Sequence, residues 1–74
     1  MQSMVDRLLK EIARVTGGHR SDVSMDLDGN VALIDGQLFR ADCVLEACGN
    51  VPDGVHVPPA DLWRDVIGHC RTER

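Results

Sequence analysis

Aromatic residues are almost missing from this 74-residue chain: it has one Phe, one Trp and no Tyr. With 43% apolar residues overall, its core has to be aliphatic. Apolar runs stop at four or five residues, which excludes a membrane-spanning helix of about 20 residues. No repeat, low-complexity tract, hydrophobic leader or catalytic signature is visible. The cysteine count is three, an odd number, and together with the missing leader it suggests a cytoplasmic protein with reduced thiols. A chain this short forms a single domain, residues 1–74, and buries only about 60% of the surface that its unfolded form exposes.

Basic charge is scarce where it would matter for nucleic acid. The net charge is -4, and the segment from Ser21 to Asp61 holds eight acidic residues against Arg40 alone. Such a field repels phosphate backbones and attracts basic protein surfaces, so direct nucleic-acid binding is not expected.

What is present reads as a small α+β domain: an N-terminal helix, a three-stranded antiparallel meander, a short helix and a C-terminal helix in two layers. Ser3 to Thr16 has an N-cap candidate in Ser3, a helical stripe of Met4, Val5, Leu8, Leu9, Ile12 and Val15, and a stop at Gly17. Val23, Met25 and Leu27 alternate with Ser24, Asp26 and Asp28, as on a half-buried strand. A three-residue loop, Asp28-Gly29-Asn30, would pair Leu27 with Val31 and Met25 with Leu33. Asp35-Gly36 is a type I′ signal that pairs Leu33 with Leu38 and Ala32 with Phe39.

The predicted core face is therefore Val23, Met25, Leu27, Val31, Leu33 and Leu38, with Ala32, Ile34 and Phe39 on the opposite side among acidic residues. Asp42 to Cys48 reads as a short helix, with a fourth strand as the rival, and would either fold over that second face or leave it as a binding surface. Pro58-Pro59 opens a helix running to about Arg71, with Leu62, Trp63, Val66, Ile67 and Cys70 as its apolar stripe.

Candidate chemistry is sparse. Asp26, Asp28 and Asn30 imitate the start of a calcium loop, but that loop would need Gly at Val31 and Glu at Gln37. Cys43, Cys48, His56, His69 and Cys70 offer zinc donors, although adjacent His69 and Cys70 point in different directions on an α-helix. Cys43 or Cys48 with His56 or His69 could form a nucleophile pair, yet so small a domain is expected to lack room for a pocket of about 300 Å³ and its supporting shell. No metal, cofactor or catalytic residue is assigned.

The leading expectation is a non-enzymatic protein-binding module, an inhibitor or adaptor that engages a basic surface, for example that of a nucleic-acid-binding protein. Asp22, Asp26, Asp28 and Asp35 would steer the partner, and Ile34, Phe39 or Trp63 would anchor it. Trp63 shares a stripe with Ile67 and Cys70, which favours a core position over an interface one. In size and acidity the chain is similar to the small inhibitors of phages and mobile elements, including anti-CRISPR proteins, with no shared motif. The alternatives are a small zinc protein using Cys43, Cys48, His56 and a residue near the C-terminus, and a structural subunit that self-associates into a homodimer or larger assembly.

Overall fold

A computed structural model of the protein describes residues 3–73. The order of elements is helix α1 (Met4–Thr16), strands β1 (Val23–Met25), β2 (Val31–Ile34) and β3 (Gln37–Arg40), helix α2 (Ala41–Gly49) and helix α3 (Pro59–Asp61). Helical backbone continues from α3 through a π-turn at Leu62–Val66 to a 3-10 turn at Gly68–Cys70. The strands form one antiparallel sheet in the order β1-β2-β3.

The ends of α1 follow from two residues. Ser3 Oγ accepts from the Asp6 N–H at 3.2 Å, satisfying one of the four donors that a helix start leaves unpaired. Gly17 closes the helix in the left-handed region at φ 74°, and the Gly18 N–H donates to the Ala13 carbonyl at 2.7 Å. Between them Leu8, Ile12 and Val15 are fully buried.

The second hairpin matches its sequence signal. Asp35 and Gly36 both take positive φ, 48° and 85°, as a type I′ turn demands, and Leu33 pairs with Leu38 while Ala32 pairs with Phe39. The first hairpin does not follow its predicted register. Met25 pairs with Ala32 and not with Leu33, and the Asp26 N–H donates to the Val31 carbonyl at 2.9 Å.

The cause is the Asp26 carboxylate. Its Oδ1 accepts from Asn30 N–H at 2.9 Å and Val31 N–H at 3.2 Å, gathering 27–30 into a four-residue loop. A slip of one residue changes the face of a whole strand, so Val23 and Met25 join Ala32, Ile34 and Phe39 on one side. That side is the core: Ala32, Ile34 and Phe39 have no exposed surface, whereas Leu33 is 41% exposed and Leu27 fully exposed on the loop. The predicted core face is thus overturned for Leu27, Val31, Leu33 and Leu38.

Helix α2 settles the choice between helix and strand for its segment, and buries Ala41, Val44 and Cys48 against α1 and β3. Asp42 lies inside its first turn, where its carboxylate accepts from the Cys43 N–H at 2.8 Å. Arg14 of α1 holds the far end: its guanidinium donates to the Cys48 carbonyl at 2.6 Å, to the Val51 carbonyl at 2.9 Å and to Asp53 at 3.1 Å. A cation on the last carbonyls of a helix both satisfies them and complements the helix dipole.

The expected regular helix from Pro59 to Arg71 is not formed. The Ile67 N–H reaches back five residues to the Leu62 carbonyl at 2.9 Å, and Ile67 itself leaves helical geometry at φ -112°, ψ 7°. The chain then tightens into the 3-10 turn and finishes extended: Thr72 N–H donates to the Leu38 carbonyl at 3.0 Å beside an isolated bridge between Phe39 and Arg71. Leu62, Ile67 and Cys70 are buried by this path and complete a single core cluster with α1, α2 and the inner sheet face.

Candidate functional site

Two regions gather the residues capable of recognition or chemistry. The first is the outer sheet face with the β1-β2 loop. Antiparallel pairing sets Ser24, Leu33 and Leu38 in one row across that face. Leu33 is 41% exposed and Leu27, on the loop, is completely exposed. Asp22 and Asp28 are exposed beside them. A shallow cavity of about 280 Å³ lies here, lined by Asp22, Ser24, Leu33 and Gly36 among others.

The four predicted acidic residues divide into two kinds. Asp26 and Asp35 are half-buried and structural: Asp26 closes its loop, and Asp35 Oδ1 accepts from the Asp22 N–H at 2.8 Å, tying the start of β1 to the second turn. Asp22 and Asp28 present their carboxylates outward. Ile34 and Phe39, predicted as anchors, are fully buried beneath the helices and are not available as surface anchors in this fold. The large apolar side chains exposed in this region are instead Leu27 and Leu33, which the predicted register places in the core. Leu27 stood beside Asp28-Gly29-Asn30, and that turn signal was the available clue to its exposure.

Trp63 is half-buried and packs against the core, with its ring edge-on to His19 at a centroid distance of 6.5 Å. It also lines a shallow cavity of about 460 Å³ with Gln37, Arg64 and Arg71. Arg64 donates to Asp61 at 2.8 Å and to Asp65 at 3.1 Å, bonds that raise its pKa, the Asp65 bond foremost.

The second region joins α2 to the end of the chain. Cys43 and Cys70 form a disulfide, with their Cα atoms 5.5 Å apart across a sequence separation of 27. This corrects the expectation of three reduced thiols; only Cys48 is free. It is buried against α1, and its thiol is pushed up to about 11, first by burial and then by the Glu11 carboxylate, with Arg14 opposing. His69 Nε2 sits 3.6 Å from Cys70 Sγ, and the donor atoms of Cys43, His69 and Cys70 all lie within 4.8 Å of one another. His69 and Cys70 are adjacent in the 3-10 turn, and their donor atoms nonetheless come together.

Neither Cys48 nor His56, both expected in a zinc set, belongs to this group; His56 lies against Gly17 at the end of α1. Cys43 and His69 also line an open cavity of about 440 Å³ with Glu46 and Asn50. Among the described residues no helix is long and apolar enough to cross a membrane.

No family model, curated protein or solved structure matches the chain.

Proposed function

We propose that the protein is a non-enzymatic protein-binding module, an inhibitor or adaptor of the kind carried by phages and mobile elements and anti-CRISPR-like in class. The observation that carries this reading is the pair Leu27 and Leu33: two large aliphatic side chains left exposed on one hairpin of a small domain, flanked by exposed Asp22 and Asp28. Exposed apolar side chains ringed by charge are the composition of a recognition surface. The acidic middle of the chain selects a partner with a basic surface, such as a nucleic-acid-binding protein, and steers its approach. Leu27 and Leu33 replace Ile34 and Phe39 as anchors, and Trp63 serves only at the margin, since it is already half-committed to the core.

A cytoplasmic site of action belongs to the same proposal. In a reducing compartment Cys43 and Cys70 would stand as thiols rather than as the disulfide.

The test is affinity capture from host lysate at low and high salt, beside a Leu27→Ser/Leu33→Ser variant, with the mass of the free protein measured in solution. Capture of a basic protein that fails with the variant and weakens at high salt supports the reading. Capture insensitive to both changes refutes it. A stable dimer that the variant dissolves would point instead to self-association through this face.

A further inference from the structure

We infer that the reduced chain binds a soft divalent cation of the zinc class through Cys43, His69 and Cys70, and that the disulfide is the oxidised alternative of the same site. The geometry is already close to that of a ligand set. With Zn–S of about 2.3 Å and Zn–N of about 2.0–2.1 Å at tetrahedral angles, a sulfur and a nitrogen on one zinc lie about 3.6 Å apart. His69 Nε2 and Cys70 Sγ are 3.6 Å apart. Two sulfurs on one zinc lie about 3.8 Å apart, a separation that the cysteines gain once their bond opens and the side chains rotate. The three donors are held by two elements: Cys43 by the first turn of α2, His69 and Cys70 by the 3-10 turn.

A cation and a helix start face the site. Arg40 Nη2 lies 3.9 Å from Cys43 Sγ and donates to the His69 carbonyl at 2.9 Å, placing a cation beside the sulfur and fixing the turn that carries the other two donors. Cys43 also sits in the first turn of α2, at the positive end of the helix dipole. The cavity that Cys43 and His69 line with Glu46 and Asn50 has room for a fourth ligand, a water or the Glu46 carboxylate. Cys43 is half-buried and His69 exposed, so an ion has a path in from solvent.

Disulfide and metal compete for the same sulfurs. A phosphine reductant breaks the S–S bond by taking oxygen from one water to become its oxide, and the two hydrogens of that water end on the two thiols. Zinc then displaces both thiol protons to solvent, forming two Zn–S bonds and one bond to the neutral imidazole of His69.

The experiment titrates zinc against a chromophoric indicator, using the full chain in phosphine-reduced and oxidised forms. One equivalent per reduced chain and none per oxidised chain is expected, with cobalt(II) giving tetrahedral and thiolate charge-transfer absorption. Cys43→Ser should abolish uptake, Cys48→Ser should leave it unchanged, and His69→Ala, whose oxidised form keeps the disulfide, should weaken it tenfold or more. If reduction unfolds the chain, zinc is expected to refold it, read by Trp63 fluorescence. No uptake by the reduced chain at micromolar zinc, uptake indifferent to His69→Ala, or uptake lost in Cys48→Ser would overturn the inference.

Discussion

Opening the Cys43–Cys70 bond should cost the fold a large part of its stability. The bond closes a loop of 27 residues, reaching from the first turn of α2 to the final 3-10 turn. In the chain-entropy treatment of a crosslink, a loop of that length confers about 3.5 kcal/mol by restricting the unfolded chain. A domain of 74 residues is expected to have roughly 4 to 11 kcal/mol in total, so the loss takes a third or more of it. The assay is urea unfolding followed by Trp63 fluorescence, in matched oxidised and phosphine-reduced samples with chelator present so that no metal compensates. A thiol titration in denaturant should find one free thiol before reduction, that of Cys48, and three after. A difference below about 1 kcal/mol between the two forms would refute the reasoning: either the bond does not form, or the unfolded chain is already restrained without it.

Two further predictions test the sheet and the interior. Phe39→Ala should lose about 3 to 5 kcal/mol because its ring is fully buried, whereas Leu33→Ser on the outer face should stay within about 0.5 kcal/mol; reversed costs in urea unfolding would restore the opposite facing of the sheet. Cys48 makes stability sensitive to alkali. Its folded pKa of about 11 lies above the ordinary 9.0, so the neutral thiol's contribution is complete below pH 9 and is lost as pH rises toward 11. The loss is on the order of 2 kcal/mol by pH 10.5. Cys48→Ala should flatten the stability profile between pH 8 and 10.5, and an unchanged slope would show that the thiol is not the cause.

The legible parts of the fold are those written in local chemistry. Ser3 and Gly17 announce the ends of α1, and Asp35-Gly36 dictates the second hairpin, because each acts within a few residues of itself. The first hairpin was not legible for a specific reason. Val31, Ala32, Leu33 and Ile34 are all apolar, so alternation could not say which of them face inward, and the choice fell to a loop whose length is set by the Asp26 side chain. The π-turn after Asp61 lacks any comparable local mark. The pairing of Cys43 with Cys70 is a tertiary event across 27 residues, which spacing alone does not specify. Of the candidate surface, the acidic rim at Asp22 and Asp28 could be read directly, while its apolar centre depended on the hairpin register.

In the proposed function, Leu27 and Leu33, edged by Asp22 and Asp28, form the contact surface. Methyl chemical-shift mapping of the leucines on adding the captured partner, or on forming the dimer if the chain pairs with itself, tests this most directly. Leu27, Leu33 and Leu38 should shift or broaden while Leu8 and Leu62, buried in the core, stay in place. Perturbation confined to Leu9 on α1 or Leu45 on α2, with Leu27 and Leu33 unmoved, would contradict it.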